Sequence, residues 1–184
     1  MNLDALWAKS QRQDMVSYMP IRAHLIDVGV AAEEMYHRQS TNRKSVLMEA
    51  FGLDTQDTGR VVGYLAALHD IGKATPWFQA KWEPGLEAAR RGGFRFPRNL
   101  KFGVRSAIRH EVHSHAIVHR ILSGHGFFPQ HIDLILDALV FHHGRYPSSR
   151  TLVDAWQALA DNSQEHPEWF SAHTDLNSEL VRLF

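Results

Sequence analysis

Cysteine is absent from this 184-residue chain. Cysteine zinc fingers and iron–sulfur clusters are therefore excluded, because both need thiolate ligands. Long apolar runs are also missing: the longest lies around residues 61–68, far short of the roughly 20 residues that cross a bilayer. Residues 1–10 lack the basic and apolar regions of a secretory signal. These absences favour a cytoplasmic protein, and the length predicts one domain.

Net charge is absent too, since 20 basic side chains balance 20 acidic ones. The balance conceals a basic, phenylalanine-containing segment over residues 90–109 that has no acidic residue. Two interpretations stay open: a solvated loop whose rings pin it to the core, or a surface that binds a nucleic-acid strand through guanidinium groups and rings. The second makes DNA-binding candidates of Arg95, Arg98, Lys101 and Arg105. The segment after residue 161 is acidic and would repel a polyanion.

The spacing of apolar residues predicts an all-helical fold, with no alternating run long enough for a sheet. One helix over residues 23–36 carries His24 on its inward stripe, and another leads to His69 and Asp70 with Gly72 as its stop. A third begins at Pro76 and runs through Trp82, and a Gly-, Pro- and Arg-rich loop follows over residues 84–101. The last two predicted helices run from residue 106 or 107 to 123, and from 129 to just before 144.

Inward-facing or helix-end polar groups recur on different predicted helices. They are His24, His69, Asp70, His110, His142 and His143. One inward histidine is ordinary, but burying six such groups is costly unless something satisfies them. Imidazole and carboxylate without thiolate suit Mn, Fe, Ni, Co or Zn in hydrolytic sites. The pattern therefore predicts a metal cluster.

The adjacent pair His69-Asp70 has a geometric consequence. Neighbouring residues on a helix project about 100° apart, so the two side chains would serve neighbouring ions with the aspartate bridging them. Two ions about 3.5 to 4 Å apart would clamp a phosphodiester for hydrolysis. Lys73, one turn beyond His69, would hold a phosphate oxygen or orient the nucleophile, or would simply be a cation near a helix C-terminus.

The remaining histidines are expected outside the cluster. His113, His115 and His119 project around the circumference of one helix, so surface or supporting roles are predicted for them. Polar or turn contexts predict surface positions for the others. These are His37, His125, His131, His166 and His173.

The order of the motifs resembles the HD superfamily, and more narrowly the HD nuclease domain of the CRISPR-associated helicase-nuclease of type I interference. The motifs are His24, Leu68-His69-Asp70-Ile71-Gly72-Lys73, Pro76-Trp77-Phe78-Gln79 with Lys81, Arg109-His110-Glu111-Val112-His113-Ser114, and His142-His143-Gly144-Arg145. The similarity runs over residues 23–147. It implies one all-α HD domain over residues 1–184. As one alternative, this domain would be the N-terminal part of a longer helicase-nuclease.

The resemblance also implies a metal-dependent nuclease that cuts single-stranded DNA with one or two divalent ions, Mn, Ni, Co or Fe, with Mg as a further option. In family terms His24, His69 and Asp70 hold the first ion, and His110, His142 and His143 hold the second. Asp70 would bridge, acting with Lys73 in catalysis. The implied partners are a helicase in the same or a separate chain and an RNA-guided CRISPR surveillance complex, with no membrane.

One family feature has no clear counterpart: a further aspartate from a late helix. Asp161 is the nearest candidate, and Asp154 and Asp175 are weaker. If that ligand is missing, metal affinity or activity should suffer. Two alternatives therefore stay open: an HD phosphohydrolase acting on a deoxynucleoside triphosphate or cyclic nucleotide, and a catalytically deficient metal-binding or docking module.

Overall fold

The computed structural model describes residues 1–10, 17–98, 100, 108–124, 129–141, 143–144 and 146–184. Of the residues singled out above, Lys101, Arg105, His125 and His142 lie outside the described residues, as does the predicted helix start at 106 or 107. In the part of the chain that is described, none of the helices combines the length and apolar character needed to span a bilayer.

The fold is all-α, as predicted, with a short two-stranded sheet near its N-terminal end. The described α-helices are α1 (Ile21–His37), α2 (Thr41–Phe51), α3 (Thr55–Ala67), α4 (Pro76–Gln79), α5 (Glu83–Arg91), α6 (His110–Gly124), α7 (Pro129–Phe141), α8 (Ser149–Glu165) and α9 (Pro167–Leu183). Two 3₁₀ helices span Leu3–Ala5 and Leu68–Lys73. The second of these carries the His-Asp pair, and we call it the HD segment.

The expectation of no sheet was wrong. Strand β1 (Trp7–Ser10) pairs antiparallel with β2 (Tyr18–Pro20), with an irregularity between Trp7 and Lys9. Strands of four and three residues are too short to show an alternating pattern, so local periodicity gives no signal for them.

The predicted loop over 84–101 was wrong in its first half, which forms α5. Pro84 lies in the first turn, where its missing N–H costs no hydrogen bond. Gly85 lets the indole of Trp7 approach, since a Cβ there would collide with Trp7 Cδ1. Leu86 and Ala89 face the core. The single helix predicted from Pro76 through Trp82 ends at Gln79, and α5 begins at Glu83.

Glycines allow two close approaches that position the HD segment. Helix α1 packs against α3 through Gly29 and Gly63, where a Cβ on Gly63 would lie 3.0 Å from the Gly29 carbonyl oxygen. Gly72 lies against the start of α6, and a Cβ there would collide with the His110 carbonyl. Its N–H donates to Ser114 Oγ at 2.9 Å. Gly72 therefore acts as a contact point within the 3₁₀ helix, not as the helix stop that was predicted.

Candidate metal centre

The buried carboxylate of Asp70 lies at the centre of a cluster of nitrogens from different elements. His24 Nε2, from α1, lies 2.8 Å from Asp70 Oδ2, and His69 Nε2 lies 3.1 Å from the same oxygen. His110 Nε2, at the first residue of α6, lies 2.9 Å from Asp70 Oδ1. Lys73 Nζ lies 2.6 Å from Oδ2. Sequence positions up to 86 residues apart thus converge on one side chain.

These groups form two sets of potential metal ligands that share Asp70. One set is His24, His69 and Asp70, and the other is Asp70, His110 and His143, with the ligand atoms of each set within 4.8 Å of one another. His143 Nε2 lies 3.4 Å from His110 Nε2. Five of the six predicted ligands therefore come together, and the sixth, His142, lies outside the described residues. Their metal-binding role stays a prediction.

Two histidines of the cluster have an oxygen atom beside Nδ1, the ring nitrogen that faces away from Asp70. His69 Nδ1 lies 2.8 Å from the Ala66 carbonyl oxygen, which can only accept, so Nδ1 carries the proton and donates. His110 Nδ1 lies 3.4 Å from the buried carboxylate of Glu111. In the neutral form of His69 this leaves the Nε2 lone pair pointing at Asp70, which requires a cation between them or a second proton on the ring. Outer acceptors of this kind orient histidine ligands at metal sites, so the donor set fits a divalent ion.

The electrostatics of Asp70 agree with a carboxylate that stays ionised. Burial raises its pKa, but hydrogen bonds from His110, His24 and His69 outweigh burial and hold the pKa well below its usual range. His69 donates its bond only when its ring carries a second proton. An ionised carboxylate with two oxygens facing different histidines is suited to bridge two cations.

Lys73 faces inward, although it was also considered as a simple helix-end cation. Its side chain is buried, with Nζ on Asp70 and 5.6 Å from the centroid of the Phe78 ring. The ammonium thus neutralises the carboxylate in this structure. A role toward a phosphate oxygen or the nucleophile stays a prediction.

Gln79 is a supporting residue to which sequence reasoning gave no role. Its side chain is fully buried. Nε2 donates to the carbonyl oxygens of Trp7 (2.9 Å) and Lys73 (2.8 Å), and Oε1 accepts from the Trp7 N–H at 3.0 Å. Gln79 therefore ties strand β1 to the end of the HD segment. The available signal was a lone amide inside the apolar Pro76-Trp77-Phe78-Gln79 motif.

Two histidines expected outside the metal cluster are buried in the core. His173 lies on the apolar face of α9 with Trp169 and Leu176, so its surface prediction was wrong. Its Nε2 donates to the Ala74 carbonyl oxygen at 2.7 Å, just beyond the HD segment. His113 stacks on Trp77 at 4.8 Å, and neither ring nitrogen hydrogen-bonds to any described residue. Burial lowers the pKa of each imidazole to about 3.

The described part of the basic segment packs against α9. Arg95 Nε and its backbone N–H both reach Glu168 Oε1, at 3.1 and 2.9 Å, and a terminal guanidinium nitrogen reaches Oε2 at 3.0 Å. Glu168 is buried, so it does not belong to an exposed acidic surface. Phe94 is buried against Trp169 with ring centroids 4.7 Å apart. These contacts match the pinned-loop interpretation, while strand binding by Arg95 and the exposed Arg98 stays a prediction.

The late aspartate candidates lie apart from the cluster. Asp154, Asp161 and Asp175 are exposed, and Asp161 accepts a hydrogen bond from Gln157 at 2.7 Å. Among the described residues, neither ligand set contains a carboxylate other than Asp70.

An all-helical fold with a His-Asp pair at its centre defines the HD class of proteins. The chain matches the family described as "Cas3, HD domain" over residues 7–184, and it belongs to that family. This confirms the resemblance inferred from the motifs.

Individual proteins and structures similar to this chain agree with this family assignment. The CRISPR-associated endonuclease/helicase Cas3 of Thermus thermophilus is 29% identical over 178 residues, which are 97% of this chain and 18% of the relative. A crystal structure of the T. thermophilus Cas3 HD domain in the presence of Ni²⁺ has a TM-score of 0.67 at 23% identity, covering 97% of this chain and 63% of that one. A structure of a CRISPR RNA-guided surveillance complex, pre-nicking, contains a chain with a TM-score of 0.70 at 20% identity, covering 99% of this chain and 21% of that one. This chain thus spans about a fifth of the curated relative.

Proposed function

We propose that this domain is a metal-dependent nuclease that hydrolyses phosphodiester bonds of single-stranded DNA in CRISPR type I interference. The observation that carries the proposal is the shared carboxylate of Asp70, with histidines from different elements on both of its oxygens. Such an arrangement suits paired divalent ions, and paired ions are a recurrent solution for in-line displacement at phosphodiesters.

His24, His69 and Asp70 would hold one ion, and Asp70, His110 and His143 a second, with His142 as a further candidate. When bound, Mn, Ni, Co, Fe or Mg would supply positive charge for the attack of water on phosphorus. The chain's own residues prepare the site: Ala66 and Glu111 orient imidazoles, and Lys73 holds Asp70 in place.

The accessibility of the centre favours a polymer over a nucleotide. His143 is exposed, and the centre borders a depression of about 340 Å³ on the surface. The depression is lined by Lys81, Arg109, His110, Glu111 and His143. A strand can cross such a surface, whereas an enzyme for a deoxynucleoside triphosphate or cyclic nucleotide encloses its substrate.

The partners are part of the same proposal. The family members compared above are longer than this chain, and one carries both endonuclease and helicase in its name. A helicase, in the same or a separate chain, would deliver the strand, and an RNA-guided surveillance complex would recruit the pair. We propose that the nuclease acts in the cytoplasm.

The test is incubation of the protein with circular single-stranded DNA and Mn, Ni, Co or Mg in parallel. The wild type should degrade the circle, whereas Asp70→Asn and His143→Ala should lose most of this activity. Asp154→Asn, an exposed carboxylate changed to an amide outside the cluster, is the matched control and should stay active. Circular dichroism verifies that every variant is folded.

The assignment would be contradicted if Asp70→Asn degraded the circle at the wild-type rate. It would also be contradicted if the wild type degraded the circle with none of the metals. Hydrolysis of deoxynucleoside triphosphates or cyclic dinucleotides in place of the circle would support the nucleotide hydrolase instead.

A further inference from the structure

We propose that Lys81 and Arg109 form a phosphate-binding site that holds the strand beside the bond to be cleaved. This inference rests on the proposed function, because it names how the same centre contacts a polynucleotide. Both residues line the depression that also contains His110 and His143 from the second ligand set. A strand whose phosphate lies at the second ligand set would bring a neighbouring phosphate to this adjoining depression.

Lys81 is an exposed cation held on a rigid support. Its Nζ lies 5.0 Å from the centroid of the Phe78 ring. Phe78 is buried and meets the His110 ring edge-to-face at 5.4 Å. The ammonium therefore keeps a defined position relative to a predicted metal ligand, although its side chain reaches solvent.

Arg109 approaches the same depression from the start of α6. Its Nε lies 2.7 Å from the buried Glu111 Oε1, while its side chain remains 40% exposed. The buried carboxylate thus anchors the guanidinium through its inner nitrogen, at the residue directly before His110. An anchored guanidinium loses less conformational entropy when it binds a phosphate.

The chemistry of the depression favours a backbone phosphate over a base. Trp77 stacks on His113, and Phe78 is buried beneath Lys81. Trp82, the residue after Lys81, is half-buried and meets the Trp7 and Tyr18 rings edge-to-face. The described residues that line the depression thus offer a base no phenyl, phenol or indole ring, whereas they offer a phosphate two cations. Such a contact is independent of base sequence, as expected for a strand fed through continuously.

The first test measures binding alone. Fluorescent oligothymidine is titrated in EDTA, which prevents cleavage, across a series of salt concentrations. Lys81→Gln should bind about five-fold more weakly at about 0.1 M salt and reduce the slope of log K against log salt by about 0.7, the value for one phosphate contact on a single strand. Lys44→Gln on α2, outside the depression, is the matched control and should keep wild-type affinity and slope.

Arg109 needs a paired variant, because its removal alone leaves the Glu111 carboxylate without its cation. Arg109→Gln combined with Glu111→Gln should lower the slope by a similar amount. An unchanged affinity and slope in both Lys81→Gln and the Arg109 double variant would overturn the proposal, provided thermal melting shows folded proteins.

The second test separates this inference from the proposed function. Lys81→Gln should raise KM for oligothymidine about five-fold, whereas the KM for bis(p-nitrophenyl) phosphate should change far less, since that small diester has no neighbouring phosphate. If the wild type hydrolyses neither substrate, the proposed function fails. If the wild type cleaves oligothymidine and Lys81→Gln has the same KM, only the phosphate site fails.

Discussion

At the scale of single residues, the centre is organised by acceptors behind the histidines as much as by the histidines themselves. The Ala66 carbonyl fixes the His69 ring, and the Glu111 carboxylate lies behind the His110 ring. Sequence reasoning named both histidines, because their ring nitrogens and their motif order carry a signal. It gave no role to Ala66 or Glu111, since a backbone acceptor has no residue signature and Glu111 is one acid among 20 acidic residues.

A prediction at this scale concerns Glu111. Glu111→Ala should weaken binding of the second ion about 10- to 100-fold, because the His110 ring loses the group that orients it. Glu111→Gln should lose less, since its amide oxygen can still accept from Nδ1. Isothermal titration with Mn²⁺ measures both affinities, with Glu87→Ala on the exposed face of α5 as control. Wild-type affinity in Glu111→Ala would exclude the orienting role.

At the scale of elements, the HD segment is a short 3₁₀ helix whose position depends on distant parts of the chain. Gly72 contacts α6. Gln79 hydrogen-bonds to both Lys73 and Trp7, although Gln79 and Trp7 are 72 residues apart in sequence. Local apolar spacing predicted α1, α3 and α7, although only α7 buries a purely apolar stripe, whereas the buried face of α3 includes a threonine and two glycines. It did not predict β1, β2, α2, α5, α8 or α9; of these, β1 is held by Gln79 through contacts that are distant in sequence.

The close approach at Gly72 leads to a second prediction. Gly72→Ala should lower the free energy of unfolding by about 2 kcal/mol, because the added Cβ meets main-chain atoms of His110 and Ser114 that cannot turn away. Metal affinity should fall as well, since α6 carries His110. Gly124→Ala is the matched control, because a Cβ there meets nothing within 4 Å. Urea denaturation measures the stability of both variants, and equal stabilities would refute the close-packing argument.

At the scale of the whole molecule, buried neutral histidines connect protonation to stability. His113 and His173 have an ordinary pKa of 6.5 when unfolded and a pKa of about 3 when folded. Between these values the unfolded chain binds the protons, so the native state is destabilised as pH falls. This destabilisation is absent above about pH 6.5. Below that pH, the free energy of unfolding falls by about 1.4 kcal/mol per pH unit for each histidine.

This predicts a steep loss of stability in mild acid. In EDTA, the urea midpoint should fall between about pH 7 and pH 5. His113→Phe should weaken the dependence, because the aromatic stack on Trp77 is kept and the titrating ring is removed. His131→Phe, which alters an exposed histidine, should keep the wild-type slope. A His113→Phe slope equal to that of the wild type would contradict the account.

The central claim, that Asp70 is shared by two metal sites, is tested most directly by anomalous diffraction from crystals soaked in Mn²⁺. The account predicts anomalous density among His24, His69 and Asp70, and again among Asp70, His110 and His143, with both peaks lost in Asp70→Asn. Density that lies away from Asp70, or that persists unchanged in Asp70→Asn, would contradict it.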